Sequence, residues 1–169
     1  MIFASDNWAG ASDRVIAAVA EAARKGGPAY GGDPLTRAVE ARFSEVFERE
    51  AAVFFVATGT AANALALSVF ARPGAFVFAH REAHVIADEP GSTELFGGGL
   101  RLVGLGGAAG RITAEGFAAA LGTEPNPHFG EPVAVSLSEI TEIGTAYRPD
   151  MVAAIAALAR ARGLGVHMD

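Results

Sequence analysis

The stretch "AAVFFVATGTAANALALSVF" (residues 51–70) decides the fold class. Residues 51–57 form a short unbroken apolar run, the pattern of a strand covered on both faces rather than one. Thr58, Gly59 and Thr60 break that run, and good helix formers follow directly. The stretch therefore predicts a buried strand turning straight into a helix. Downstream the same alternation continues. "AFVFA" (75–79) reads as a strand, "REAHVIADE" (81–89) as a short helix and "RLVGL" (101–105) as a strand within glycine-rich turns. "TAEGFAAAL" (113–121) is a helix capped by Thr113, and "PVAVSLS" (132–138) a strand. "RPDMVAAIAALARARG" (148–163) is a helix with Pro149 near its start, and "LGVHM" (164–168) the last strand. Strand and helix alternating almost without exception from Ala51 onward predict an α/β fold, a mostly parallel sheet with helices on both faces. Upstream, "SDRVIAAVAEAARK" (12–25) is a helix capped by Ser12 and ended by Gly26, Gly27 and Pro28. Asp33 and Pro34 open a second helix in cap-then-first-turn order, with Leu35, Val39, Phe43 and Val46 on one face.

Bulk properties narrow the function classes. The chain has 169 residues, 51% hydrophobic and 19% charged, enough for a globular domain with a real core. Its formal charge is −6 and no Lys/Arg cluster tracks a phosphate backbone, so nucleic acid is not an expected partner. The longest apolar run, near residues 151–159, falls far short of the ~20 residues a bilayer needs. The first ten residues carry Asp6 and no basic segment, so no signal peptide is expected and the cytoplasm is the expected location. Cysteine is absent, which removes disulfides and thiolate chemistry together.

Five places have residues suited to chemistry. In "VATGTAAN" (56–63) a helix begins where a strand ends, so free backbone N–H groups, the helix dipole and two hydroxyls could hold an anion. The bland alternative is an ordinary turn capped by Thr60. In "REAHVIADE", His84 could stack on a flat ring or act as acid or base, with Glu89 nearby in sequence. The i, i+5 spacing does not suit a metal pair, so no metal is expected, and a plain surface histidine is the alternative. His128 lies in the proline-rich loop "NPHFGEP" (126–132). Ser136, Ser138, Thr141 and Glu142 follow the apolar run "PVAV" (132–135) of that strand, on the edge where open α/β sheets bind ligands. Asp169 ends the last strand on that same edge, where a carboxylate calls for a cationic partner unless it is simply exposed.

Taken together and in order, these motifs resemble the amino half of a fold-type I pyridoxal-phosphate enzyme, most closely the low-specificity threonine aldolases of the β-eliminating lyase group. The resemblance rests on "SDN" (5–7), "YGGDPLT" (30–36), "TGTAAN" (58–63), "AHVIADE" (83–89) and "HMD" (167–169). It implies that residues 34–169 form the amino part of a three-layer αβα large domain, preceded by an N-terminal segment, 1–33, that contributes to the active site and subunit contacts. It implies pyridoxal 5′-phosphate as cofactor, with Thr58, Gly59 and Thr60 on its phosphate, His84 stacked on its ring and Asp169 on its pyridinium nitrogen. Tyr30 would reach the cofactor of a neighbouring subunit in a homo-oligomer, a dimer of dimers. Ser5 would bind the substrate carboxylate. His84 would act as base or position a water, with His128 its rival near the β-hydroxyl and Glu89 assisting. The implied reaction cleaves threonine-type β-hydroxy-α-amino acids to glycine and an aldehyde.

One departure accompanies the resemblance. The family attaches its cofactor through a lysine well downstream of "HMD", whereas the single lysine here, Lys25, ends a helix and matches no such position. The sequence is therefore expected to be part of a longer enzyme, lacking the rest of the large domain and a small C-terminal domain. Another pyridoxal-phosphate lyase or an aminotransferase, or a non-catalytic truncated product, are the competing expectations.

Overall fold

The computed structural model describes residues 8–122 and 128–169. Two compact units divide the chain, Met1–Phe55 and Val56–Asp169. The segment expected to end at residue 33 thus belongs to a unit that also takes in the second helix.

The first unit holds α1 (Asp13–Lys25) and α2 (Pro34–Val46). Asp33 caps α2 as its sequence predicts, accepting from the Thr36 N–H at 2.9 Å. Ser12 stands at the start of α1 but makes no side-chain cap bond. Neither helix has a fully buried residue, so the apolar faces with Val15, Ile16 and Val19 or Leu35, Phe43 and Val46 are open.

The second unit is a four-stranded, all-parallel sheet in the order β2-β1-β3-β4. The strands are β1 (Ala75–His80), β2 (Arg101–Leu105), β3 (Glu131–Leu137) and β4 (Gly165–Met168). Before β1 comes α3 (Gly59–Ser68), and between the strands run α4 (His84–Ala87), α5 (Ser92–Phe96), α6 (Ala114–Leu121) and α7 (Pro149–Ala161). Side chains of β1 alternate between two cores, which makes the unit three layers thick. Phe76 and Phe78 face Ile112, Phe117, Ile155 and Ala159 on the α6/α7 side. Ala75, Val77 and Ala79 face Leu67, Val85 and Leu100 on the α3/α5 side. Every residue of β1 is buried, as its unbroken apolar run predicts. Tyr147 ties a loop to the first core, its hydroxyl oxygen accepting from the Ile112 N–H at 2.7 Å. Burial pushes that phenol's pKa upward, only partly offset by the bond from Ile112.

The opening stretch is half right. Its second half is α3, but residues 51–56 lie in no strand, and Phe54 and Phe55 are 86% and 68% exposed. A strand needs a neighbouring backbone to pair with, and apolar composition supplies none. The short helix α5, absent from the sequence reading, fills the turn between α4 and β2. No helix among the described residues is long and apolar enough to cross a membrane.

Candidate active site

All four strands are parallel, so β1, β3 and β4 end on one edge of the sheet, and the chemistry-bearing residues collect there. The β1 strand ends at His80, whose Nδ1 accepts from the Glu82 N–H at 3.1 Å while Nε2 faces the Gly107 carbonyl at 3.1 Å. With one nitrogen accepting, the other carries the hydrogen and donates to that carbonyl. The first bond fixes the turn that leads into α4, and the second ties the end of β1 to the loop after β2.

His84 opens α4, and Glu89 follows it after a single helical turn. On a continuous helix an i, i+5 pair would point apart. Here α4 stops at Ala87 and the chain bends back, so His84 Nδ1 meets Glu89 Oε1 at 2.8 Å. Glu89 is 3% exposed, whereas the His84 side chain is 42% exposed. The arrangement is a buried carboxylate holding a histidine whose other nitrogen is left to the site. A carboxylate only accepts, so the hydrogen lies on Nδ1 and neutral His84 carries its lone pair on Nε2. Burial alone would lower the His84 pKa, but the Glu89 hydrogen bond and charge, with Glu142 and Asp88 adding, raise it above the usual 6.5.

The start of α3 lies beside this pair. Thr58, rather than Thr60, is the cap, its hydroxyl oxygen accepting from the Ala61 N–H at 3.1 Å. The N–H groups of Gly59 and Thr60 precede the first intrahelical bond and point out of the helix end. A Cβ at Gly59 would meet nothing within 4 Å, so the space before the helix is open. Asn63, buried one turn further on, donates from Nδ2 to Glu89 Oε1 at 3.2 Å and joins this helix to the histidine.

On β3 and β4 the register sets Ser136 opposite His167, and Ser136 Oγ lies 2.9 Å from His167 Nδ1. Burial pushes the His167 pKa down, against the opposing charges of Asp169 and Glu89. Asp169 follows at the strand end, exposed, its backbone tied to both sides of β3's end. Its N–H donates to the Leu137 carbonyl and its carbonyl accepts from the Glu139 N–H, both at 2.9 Å. No cationic partner for its side chain occurs among the described residues. Ser138 is buried, and Thr141 serves its own loop through Thr145 at 2.8 Å.

His84, Glu89, the start of α3 and the end of β4 thus share one edge. His128 is exposed and lies three residues before β3, beside the start of β1, at the opposite edge. Tyr30 belongs to the first unit, is fully exposed, and has a left-handed φ of 60°. Ser5 lies outside the described residues. Asn63 and His80 were missed as site residues because each looks like an ordinary element residue. Only the final N in the "TGTAAN" motif pointed toward Asn63.

Comparison with known proteins gives the family. A family model described as beta-eliminating lyase matches residues 3–169. Low-specificity L-threonine aldolases from Pseudomonas aeruginosa and a Pseudomonas sp. are 38% and 36% identical over 167 residues, which is 99% of this chain. The chain spans about half of each, 48% of their length. A solved Leishmania major threonine aldolase superposes with a TM-score of 0.89 at 26% identity, over 98% of this chain and 48% of that one. An Exiguobacterium protein described as a putative aromatic amino acid β-eliminating lyase/threonine aldolase shares the fold, with a TM-score of 0.69 at 24% identity, over 95% of this chain and 44% of that one.

Proposed function

Since the chain belongs to the beta-eliminating lyase family, we propose that it forms the cofactor-binding part of a pyridoxal-phosphate lyase cleaving threonine-type β-hydroxy-α-amino acids to glycine and an aldehyde. The observation that carries this reading is the His84–Glu89 pair, 2.8 Å apart, set beside an open helix start. The residues fit the cofactor. Its phosphate suits the free N–H groups of Gly59 and Thr60, which offer hydrogen bonds and the positive end of the α3 dipole. Thr58 and Thr60 supply hydroxyls there. His84 offers an imidazole face for the ring, and Asp169 a carboxylate for its nitrogen. When bound, the cofactor supplies an electron sink for the pair released by Cα–Cβ cleavage.

The protein's own part is proton handling. The substrate's β-hydroxyl must lose its proton as the bond breaks, and Nε2 of His84 is the lone pair available to take it. Glu89 then stabilises the imidazolium that forms, through the bond at Nδ1. In this reading His84 carries the base role, supported by the Glu89 carboxylate at its Nδ1. In the same reading Ser5 binds the substrate carboxylate and Tyr30 serves a neighbouring subunit of a homo-oligomer.

The test uses the full-length protein with pyridoxal phosphate. Threonine and allo-threonine should each be assayed for glycine and acetaldehyde in equal amounts. Bound cofactor with no glycine released would overturn the aldolase reading and leave another lyase or an aminotransferase.

A further inference from the structure

The proposed reaction assigns no task to Asn63, yet its side chain is built into the site. Asn63 is 4% exposed, and its Nδ2 donates to Oε1 of Glu89 at 3.2 Å. The same oxygen faces Nδ1 of His84 at 2.8 Å. The other oxygen, Oε2, is buried with no hydrogen-bond partner among the described residues. One oxygen therefore fixes the whole carboxylate, and two donors converge on it. Of those two, His84 cannot fix Glu89 alone. Its side chain is 42% exposed, and it stands on a one-turn helix whose preceding residue, Ala83, offers no side-chain cap. Asn63 sits on the longer α3, whose start is capped by Thr58 and whose core-facing Ala64 and Leu67 are fully buried.

We propose that Asn63 is a positioning residue for His84: its carboxamide locks the Glu89 carboxylate against Nδ1, which keeps the ring hydrogen there and leaves Nε2 bare to accept a proton. Without the amide, nothing but the half-exposed imidazole orients the Glu89 carboxylate, which is free to pivot away from Nδ1, and His84 loses the fixed acceptor that selects its tautomer. One hydrogen bond thus makes the helix start and the imidazole a single rigid unit. The catalytic meaning rests on the function proposed above; the tautomer assignment does not.

The experiment uses ¹⁵N-imidazole NMR on the full-length protein without cofactor, His84 being assigned from the signal lost in His84→Gln. Wild-type His84 should be the Nδ1–H form when neutral and titrate above the usual histidine value of 6.5. Asn63→Leu, nearly isosteric, should bring in the Nε2–H form and lower the titration midpoint. Glu89, Asp88 and Glu142, the acidic groups acting on His84, remain in both proteins, so the change reports their geometry. Should Asn63→Leu fail to fold by circular dichroism, Asn63→Ala replaces it. A folded variant with unchanged tautomer and midpoint overturns the proposal. With threonine as substrate, kcat should fall about tenfold with KM little changed, a fraction of the 10²–10⁴ that acid–base catalysis contributes. An equal rise in KM with kcat intact would also overturn it. A wild type inactive on threonine refutes the aldolase reading alone and leaves the NMR result standing.

Discussion

Gly165 opens β4 opposite Ala134. A methyl group added there would lie 2.2 Å from Cε1, 2.5 Å from Cζ and 2.7 Å from Cδ1 of Phe70. Two effects of opposite sign compete in Gly165→Ala. The backbone there is one any residue can adopt, so alanine restricts the unfolded chain and gains about 0.4–1 kcal/mol. Against this, the ring must retreat from 2.2 Å to at least the 3.4 Å of ordinary contact. Phe70 packs against the core that holds Leu67, so the ring can retreat only by giving up part of that contact. Overpacking of this kind costs about 1–3 kcal/mol, so the clash wins and a net loss of about 1–2 kcal/mol is expected. Urea unfolding followed by far-UV circular dichroism measures it. Phe70→Leu provides the control: with the ring gone, the same alanine should cost markedly less, leaving a favourable coupling in the double-mutant cycle. An unchanged or raised stability for Gly165→Ala, or an equal penalty in the Phe70→Leu background, would refute the reasoning.

Two further outcomes are expected. Phe117→Ala removes a fully buried ring that meets Phe78 edge-on at 5.8 Å, and should cost about 3–5 kcal/mol in the same unfolding assay; a loss under about 1 kcal/mol would mean the α6 core is loose. Glu89→Gln removes the negative charge that helps raise the His84 pKa, leaving only a neutral amide oxygen as acceptor and the burial that lowers it, so His84 should titrate lower than in wild type by NMR. The sign extends to stability. A histidine raised on folding stabilises fully below its usual 6.5, and this is lost as pH climbs through the raised value; the variant should lose that dependence.

The α/β class was legible because β1 and most of β3 are buried runs alternating with helix-forming stretches, and cap chemistry is local: Asp33 and Thr113 each bind an N–H three residues on, as Thr58 does in place of Thr60. Residues 51–56 misled because burial depends on a pairing partner that composition cannot supply. Within the site, the motif "AHVIADE" marked His84 and Glu89, but the spacing argued against their meeting. Their contact depends on where a four-residue helix stops, a boundary no periodicity fixes. Asn63 lies 26 residues from Glu89 in the chain, a separation that only tertiary structure closes.

The Ser136–His167 pair has a consequence beyond its own bond. β4 has only four residues, too few for side-chain packing alone to index it against β3. Slipping it by one position would bury a hydroxyl and an imidazole facing the wrong neighbours and flip the strand's faces. The pair therefore works as a keyed joint. It admits one alignment, and with it one location for the carboxylate of Asp169, which a single-step error would carry about 3.3 Å away.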